Sequence, residues 1–258
     1  MNQFFSFKRF QLLVLKHWAD NKKRYSLSIL AFAGLLIVWF LFTMLLPEDT
    51  GIMSEEVQQL TFFFTLFAVG TFYASQYFGD FGSRPNGSNF LLVPASTFEK
   101  FLCSLLYTVL LFFVVFTAAF YLADILIVSI SNAVSATDGL ARKPTVINVF
   151  KVNLIWLSDD TAINMVLFFF SIQSLFLLGA VHFKKYSFIK TIITGFVAYL
   201  ILFSVTFFLY RRFVPGGDRP DGPVHIAGWI PQVLRFLVYL IAPVSWMVTY
   251  YRLKGKQV

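Results

Sequence analysis

The feature that most constrains this chain is a series of long apolar stretches that carry almost no charge. The first, residues 26–46, runs for 21 residues without a charged side chain, between Lys22-Lys23-Arg24 and Pro47-Glu48-Asp49. A helix needs about 20 apolar residues to cross a bilayer. On that criterion the sequence predicts six spans, at 26–46, 60–78, 101–130, 162–181, 188–210 and 233–250.

The composition supports lipid as the solvent for most of the chain. Hydrophobic residues make up 58% of the sequence and charged residues 13%, whereas an ordinary soluble domain has about 25% charged residues. A water-soluble protein with 34 Phe would expose much apolar surface and aggregate. We therefore expect an all-α, polytopic integral membrane protein.

The distribution of charge predicts the orientation of the spans. An even number of spans places both termini on one side of the membrane, where 14 of the Lys and Arg residues also fall, against six on the other side. Cytoplasmic loops are enriched in Lys and Arg, so we expect cytoplasmic N and C termini. Because the net charge of +8 is concentrated at span ends, we expect no nucleic-acid partner.

Residues with catalytic or metal-binding potential are few. Cys103 is the single cysteine, which excludes an intramolecular disulfide, and the histidines at 17, 182 and 225 form no paired metal motif. No phosphate-binding loop of the Gly-Lys-Ser/Thr type occurs in the sequence. We expect no metal site, no catalytic residue and no cofactor in this chain.

Residues 1–25 predict a helix that lies in the cytoplasmic interface before the chain turns into the six-span domain of residues 26–258. Apolar side chains recur there at helical spacing, and basic side chains surround the remaining surface. This pattern is typical of an interfacial amphipathic helix. A basic segment that only anchors the protein explains the pattern equally well.

The connection between the second and third spans, residues 79–100, is the most informative stretch. Its first half is rich in Gly, Pro and Asn and predicts a loop. Ser96 followed by Glu99 is a capping-box pattern, so we expect the third helix to begin at Ser96, before the bilayer. The apolar quartet 90–93 is unusual for a solvated loop and would suit docking against another protein.

The sequence LLVPASTFEKF at 91–101 resembles the connection "LP-x-S-x-x-E-x" of permease subunits in the type-2 ABC exporter family, with Val93 inserted before Pro94. Six spans and an interfacial N-terminal helix fit the same family. The resemblance implies a separate ABC-type ATPase subunit, which would bind ATP and Mg²⁺. It also implies a homodimer, or pairing with a similar permease, in a bacterial inner membrane.

The resemblance implies two contacts with the ATPase and one outer element. The residues of the coupling contacts are Phe90, Leu91, Leu92, Pro94, Ser96, Glu99, Lys184 and Lys185. Residues 224–230 are the candidate for a short helix that dips into the outer leaflet. The outer loop 131–160 has no family role, and we expect its segment 146–157 to lie flat on the outer surface.

Besides Lys190 at the cytoplasmic start of the fifth span, two charges fall inside predicted spans, Asp124 late in the third and Arg235 early in the sixth. Both belong to the outer leaflet in the predicted topology. Charges at membrane depth are costly and usually pair or face water. We therefore consider a polar pair of Asp124 and Arg235, and as the alternative that each reaches the outer headgroups separately.

The leading functional prediction is a permease subunit of an ATP-driven ABC exporter, without enzymatic activity of its own, that moves an unidentified substrate. The first alternative is a membrane subunit that anchors or regulates another complex without transport. The second is an intramembrane enzyme that modifies lipids. An enzyme needs several reactive side chains at one depth, and the intramembrane acid Asp124 is solitary.

Overall fold

The computed structural model of the chain describes residues 4–45, 55–78, 93–138, 145–149, 161–183, 185–213 and 229–256. Within these residues the regular structure is entirely helical, which confirms the predicted fold class. The elements in chain order are α1 (Phe7–Leu45), α2 (Glu55–Tyr77), α3 (Thr97–Leu105), a π-helical turn (Leu106–Leu111), α4 (Phe112–Asp138), α5 (Thr161–His182), α6 (Ser187–Phe213) and α7 (Trp229–Gly255).

Six helical stretches in the described ranges are long and apolar enough to cross a membrane, and each overlaps one of the predicted spans. Helix α3, the π-helical turn and α4 follow one another without a break and supply one of the six. The stretches are Phe7–Thr43, Val57–Tyr77, Thr97–Ala133, Ile163–His182, Ser187–Val205 and Arg235–Gly255. The six-span architecture expected from the sequence is therefore present.

Helix α1 differs from the prediction in its first half. The predicted interfacial helix is not a separate element, because the helix continues without interruption from Phe7 to Leu45. Its 39 residues extend for about 58 Å, roughly twice the thickness of a bilayer's hydrocarbon core. The sequence contains no Pro within α1 and no Gly before Gly34, so nothing there breaks the helix near residue 25.

The largest group of buried side chains packs α1, α2, α4 and α5 around aromatic rings. The ring of Phe62 meets those of Phe116 and Phe120 edge to face, with centroids 5.5 and 5.0 Å apart. Phe67 meets Phe169 in the same geometry at 5.6 Å. Such pairs are worth about 0.5–1.5 kcal/mol each beyond the burial of their area. Part of the high Phe content therefore builds the core of the bundle.

Two glycines allow helices to approach closely. A Cβ at Gly70 of α2 would lie 2.5 Å from the ring of Phe169 in α5, and a Cβ at Gly179 of α5 would overlap the side chain of Thr191 in α6. Small residues at such positions are typical of helix contacts in membrane proteins.

Helix α6 is the least enclosed helix, because no residue of its apolar stretch Ser187–Val205 is buried.

In the described part of the connection between α4 and α5, residues 145–149, two side chains enter the core and the other three stay exposed, so the expectation that the segment lies flat on the surface is wrong for Ile147 and Val149. Ile147 and Val149 are buried. The Ile147 N–H donates to Asp124 Oδ2 at 3.3 Å, and the Val149 N–H donates to the Tyr121 hydroxyl at 3.2 Å. These two acceptors satisfy backbone groups that would otherwise be buried without partners.

Candidate functional site

Helix α3 begins where the capping-box pattern places it. Ser96 is the N-cap residue, and its Oγ accepts a hydrogen bond from the Glu99 N–H at 3.1 Å. Glu99 Oε2 in turn accepts from the Ser96 N–H at 2.8 Å. Both halves of a capping box are therefore formed, and two of the N–H groups that a helix start leaves unpaired are satisfied.

The second oxygen of the same carboxylate binds the beginning of the chain. Glu99 Oε1 accepts from the Ser6 N–H at 2.7 Å, from Arg9 Nε at 3.3 Å and from Arg9 Nη2 at 3.0 Å. The Glu99 side chain is 0% exposed and that of Arg9 is 38% exposed. Hydrogen bonds between charged groups are stronger than neutral ones, so one buried carboxylate links the start of α1 to the start of α3.

Aromatic rings pack around the hydrogen bonds of Glu99, and one of them belongs to α7. Phe4 stacks on Phe98 with centroids 4.9 Å apart, and Phe5 meets Phe98 edge to face at 6.2 Å. Tyr250 of α7 contacts Phe98 at 6.3 Å and Phe101 at 5.8 Å. We use the name α1–α3 corner for the group formed by Ser6, Arg9, Ser96, Phe98 and Glu99.

The helix ends on this side of the bundle are the ones that the predicted topology places in the cytoplasm. The end of α2, the start of α3, the end of α5 and the end of α7 share one buried cluster, which contains Phe78, Phe101, Val181 and Leu253. Lys256 Nζ also donates to the Val181 carbonyl at 2.5 Å. The start of α3 therefore shares a buried cluster with the end of α5, which precedes the connection where the second predicted coupling contact lies.

The predicted coupling residues divide into three groups. Phe90, Leu91, Leu92 and Lys184 lie outside the described residues. Pro94 and Lys185 are exposed. Ser96 and Glu99 are engaged within the chain, in the capping box and the α1–α3 corner. Glu99 thus holds two helix starts together and does not present its carboxylate to the surface.

The structure does not bring Asp124 and Arg235 together as a polar pair. Asp124 is buried, and its Oδ2 accepts from the Ile147 N–H. Arg235 is exposed in the first turns of α7. Within the described ranges no ion pair joins Asp124 to Arg235. The carboxylate binds the backbone of segment 145–149, a contact that no sequence pattern predicts.

A cluster of rings between α1, α2 and the π-helical turn is not among the predicted functional residues. His17 Nε2 lies 2.6 Å from the Tyr25 hydroxyl, and its ring centroid lies 5.1 Å from that of Tyr77 and 4.4 Å from that of Tyr107. The Tyr107 hydroxyl donates to the Val14 carbonyl at 2.9 Å. The spacing of Tyr73 and Tyr77 was the one sequence signal, since residues four apart share a helix face.

Comparisons with family models, with curated proteins and with solved structures find no match to this chain. Within the part of the chain that the structure describes, no group of three or more His, Cys, Asp or Glu residues is placed to hold a metal ion. The features that bear on function are therefore the helices, the α1–α3 corner and the resemblance at residues 91–101.

Proposed function

We propose that this chain is the membrane-spanning permease subunit of an ATP-driven ABC exporter and that a separate ATPase subunit supplies the energy. The observation that carries the proposal is the buried Glu99 carboxylate, which joins the starts of α1 and α3 directly after the coupling-like connection. Six helices of membrane-spanning length and composition support the same function.

The α1–α3 corner offers a mechanical route from the connection into the bundle. A displacement of residues 79–96 by an ATPase would move the start of α3. The Glu99 hydrogen bonds to Ser6 and Arg9 would carry α1 along, and the contact of Phe98 with Tyr250 would involve α7. The continuous helical rod of residues 97–138 would carry the displacement over about 60 Å.

The proposal includes a second permease, identical or similar, and an unidentified substrate that moves between the two subunits. Helix α6 leaves its apolar sides unburied within one chain, so it is free to face lipid or the second subunit. In the proposed complex both termini and the α1–α3 corner lie on the cytoplasmic side, next to the ATPase, in a bacterial inner membrane.

The first test is purification of the full chain from its native membrane in mild detergent, with identification of the co-eluting proteins and an ATP hydrolysis assay. We expect a stoichiometric ATPase subunit. A triple variant in which Phe90, Leu91 and Leu92 are each replaced by Ser should release the ATPase. The elution volume and the thermal unfolding midpoint of the chain should stay unchanged.

The matched control is Val146→Ser, which changes an exposed apolar side chain in segment 145–149, away from the α1–α3 corner. That variant should keep the ATPase bound. Retention of the ATPase by the triple Ser variant would overturn the coupling assignment. Co-elution with proteins that lack ATPase activity would instead favour the anchoring or regulatory subunit.

A further inference from the structure

An apolar cavity of about 190 Å³ lies between α1, α2 and α4. Its walls include Ile29, Phe32, Val69, Val115, Phe116 and Ala119. An apolar cavity of about 150 Å³ in a protein core remains dry and binds benzene or xenon. A cavity of this size and lining is therefore suited to a stretch of hydrocarbon.

The cavity borders the outer surface of the bundle on the α1 side. Trp18 and Ile29 both line it, and they are 44% and 39% exposed. Leu111 and Phe112, where the π-helical turn meets α4, form part of the facing wall. A hydrocarbon chain can therefore enter from the side, as it would from a surrounding bilayer, without passing along the axis of the bundle.

A smaller polar pocket adjoins the apolar cavity. It is lined by His17, Asn21, Arg24 and Gln76 together with tyrosine side chains. Tyr25 and Tyr73 line both spaces, so the polar pocket and the apolar cavity are neighbours that share these two side chains. One of the two neighbouring spaces is polar and the other is apolar.

The change from polar to apolar follows the same direction along both helices. On α1 the lining passes from Asn21 and Arg24 to Phe32. On α2, which runs the opposite way in the predicted topology, it passes from Gln76 to Val69. A ligand that matches this lining must itself be polar at one end and apolar at the other.

The polar end carries positive charge. Arg24 lines the pocket, and Lys22 and Lys23 precede it in the chain. None of the described residues that line the pocket is acidic. An arginine beside amide and hydroxyl groups recognises a phosphate or carboxylate oxygen well, because its N–H groups form charge-assisted hydrogen bonds.

We propose that this is a binding site for an anionic amphiphile, with its hydrocarbon chain in the apolar cavity and its phosphate or carboxylate at Arg24. A membrane phospholipid and a free fatty acid share that chemistry. The site does not depend on the permease function, since it is argued from the walls of the cavity and pocket alone.

The experiment is native mass spectrometry of the full chain in mild detergent, after incubation with equimolar dioleoyl-phosphatidylglycerol, dioleoyl-phosphatidylcholine and oleate. We expect one retained anionic molecule per chain and little phosphatidylcholine. Retention of phosphatidylglycerol assigns a membrane phospholipid, and retention of oleate alone assigns a free fatty acid. Equal retention of phosphatidylcholine and phosphatidylglycerol would overturn the assignment of an anionic head group to the ligand.

Two neighbouring alanines provide a matched test of the apolar end. Ala119 lines the cavity and Ala118 is exposed on the adjacent face of α4. Ala119→Phe places a ring in the space for the hydrocarbon chain and should lower retention by about tenfold. Ala118→Phe should leave retention unchanged. Equal retention by the two variants would overturn the assignment of the cavity.

Two neighbouring basic residues test the polar end in the same way. Arg24→Gln should lower retention of the anionic molecule by about tenfold, whereas Lys23→Gln, which removes the same charge beside the pocket, should have little effect. Equal loss in both variants would show a general charge effect and would overturn the role of Arg24.

Because Ala119→Phe could fail to fold, a second measurement tests the apolar cavity without a cavity-filling variant. Phosphatidylglycerol and oleate with brominated chains quench tryptophan fluorescence on contact, and Trp18 lines the cavity. Stoichiometric brominated ligand should quench the wild-type chain, and most of that quenching should disappear in Trp18→Phe. Quenching that is the same in both chains for both ligands would place the hydrocarbon elsewhere.

Discussion

Glu99 and Asp124 are two buried carboxylates on the same helical rod, and their surroundings differ sharply. Each residue is 0% exposed, and they lie about 38 Å apart along the rod. Glu99 accepts hydrogen bonds from four N–H groups, two of which belong to Arg9. Asp124 accepts one, from Ile147, and its Oδ1 has no hydrogen-bond partner among the residues that the structure describes.

The comparison shows what a buried carboxylate needs in order to fasten two segments firmly. A buried charge is costly unless hydrogen bonds and an opposite charge compensate for the lost water. Glu99 has both kinds of compensation, whereas Asp124 has a single backbone donor. We therefore expect the start of α1 to be held more firmly than segment 145–149. Four substitutions test this expectation.

The largest effect is expected for Glu99→Ala. It leaves the Arg9 guanidinium and the N–H groups of Ser6 and Ser96 without their acceptor, and the free energy of unfolding should fall by about 3 kcal/mol. The measurement is unfolding in mixed detergent micelles. Asp20→Ala, on the exposed surface of α1, is the control and should cost less than about 0.5 kcal/mol. Equal losses would contradict the role of Glu99.

A smaller loss of stability than for Glu99→Ala is expected for Asp124→Leu. Leucine has the same branched arrangement of four heavy side-chain atoms as aspartate but offers no acceptor to the Ile147 N–H, so the free energy of unfolding should fall by about 2 kcal/mol. Hydrogen exchange at residues 145–149 should rise at the same time. Unchanged exchange there would show that Asp124 does not hold the segment.

Tyr121→Phe removes the acceptor of the Val149 N–H without changing the ring, and should cost about 1 kcal/mol. Hydrogen exchange at Val149 is the readout. Tyr199→Phe, on the exposed surface of α6, removes a hydroxyl that does not contact the segment. If both variants exchange alike at Val149, the hydroxyl of Tyr121 contributes nothing to holding it.

The smallest effect is expected for Asp124→Asn. The amide keeps an oxygen that accepts from Ile147 and removes a poorly compensated charge, so stability should change by less than about 0.5 kcal/mol. The measurement is the thermal unfolding of the variant compared with that of the wild type. A large loss would show that the charge of Asp124 is itself required, and the contrast with Glu99 would disappear.

The features that the sequence predicted correctly are local ones. The start of α3 depends on Ser96 and Glu99, three residues apart, and each span depends on one continuous apolar stretch. By contrast, the bond from Arg9 to Glu99 joins residues 90 positions apart. The sequence carries no periodicity that reports such a contact.

The amphiphile site could not be predicted from the sequence either, for a different reason. Its walls come from three helices, and which side chains face one another depends on how those helices are rotated. The π-helical turn Leu106–Leu111 shifts the helical register just before α4. The burial of Ile147 likewise depends on Tyr121 and Asp124 being turned toward its segment. No span count or charge bias contains that information.

The distance in sequence between the two halves of the α1–α3 corner also sets an order of events during synthesis. Helix α1 is made first, but the carboxylate that secures Ser6 and Arg9 comes 93 and 90 residues later. At about 5–20 residues per second, the ribosome adds that stretch in roughly 5–20 s. For that interval the nascent α1 exists without the carboxylate that binds Ser6 and Arg9, and α3 completes this attachment when it is made.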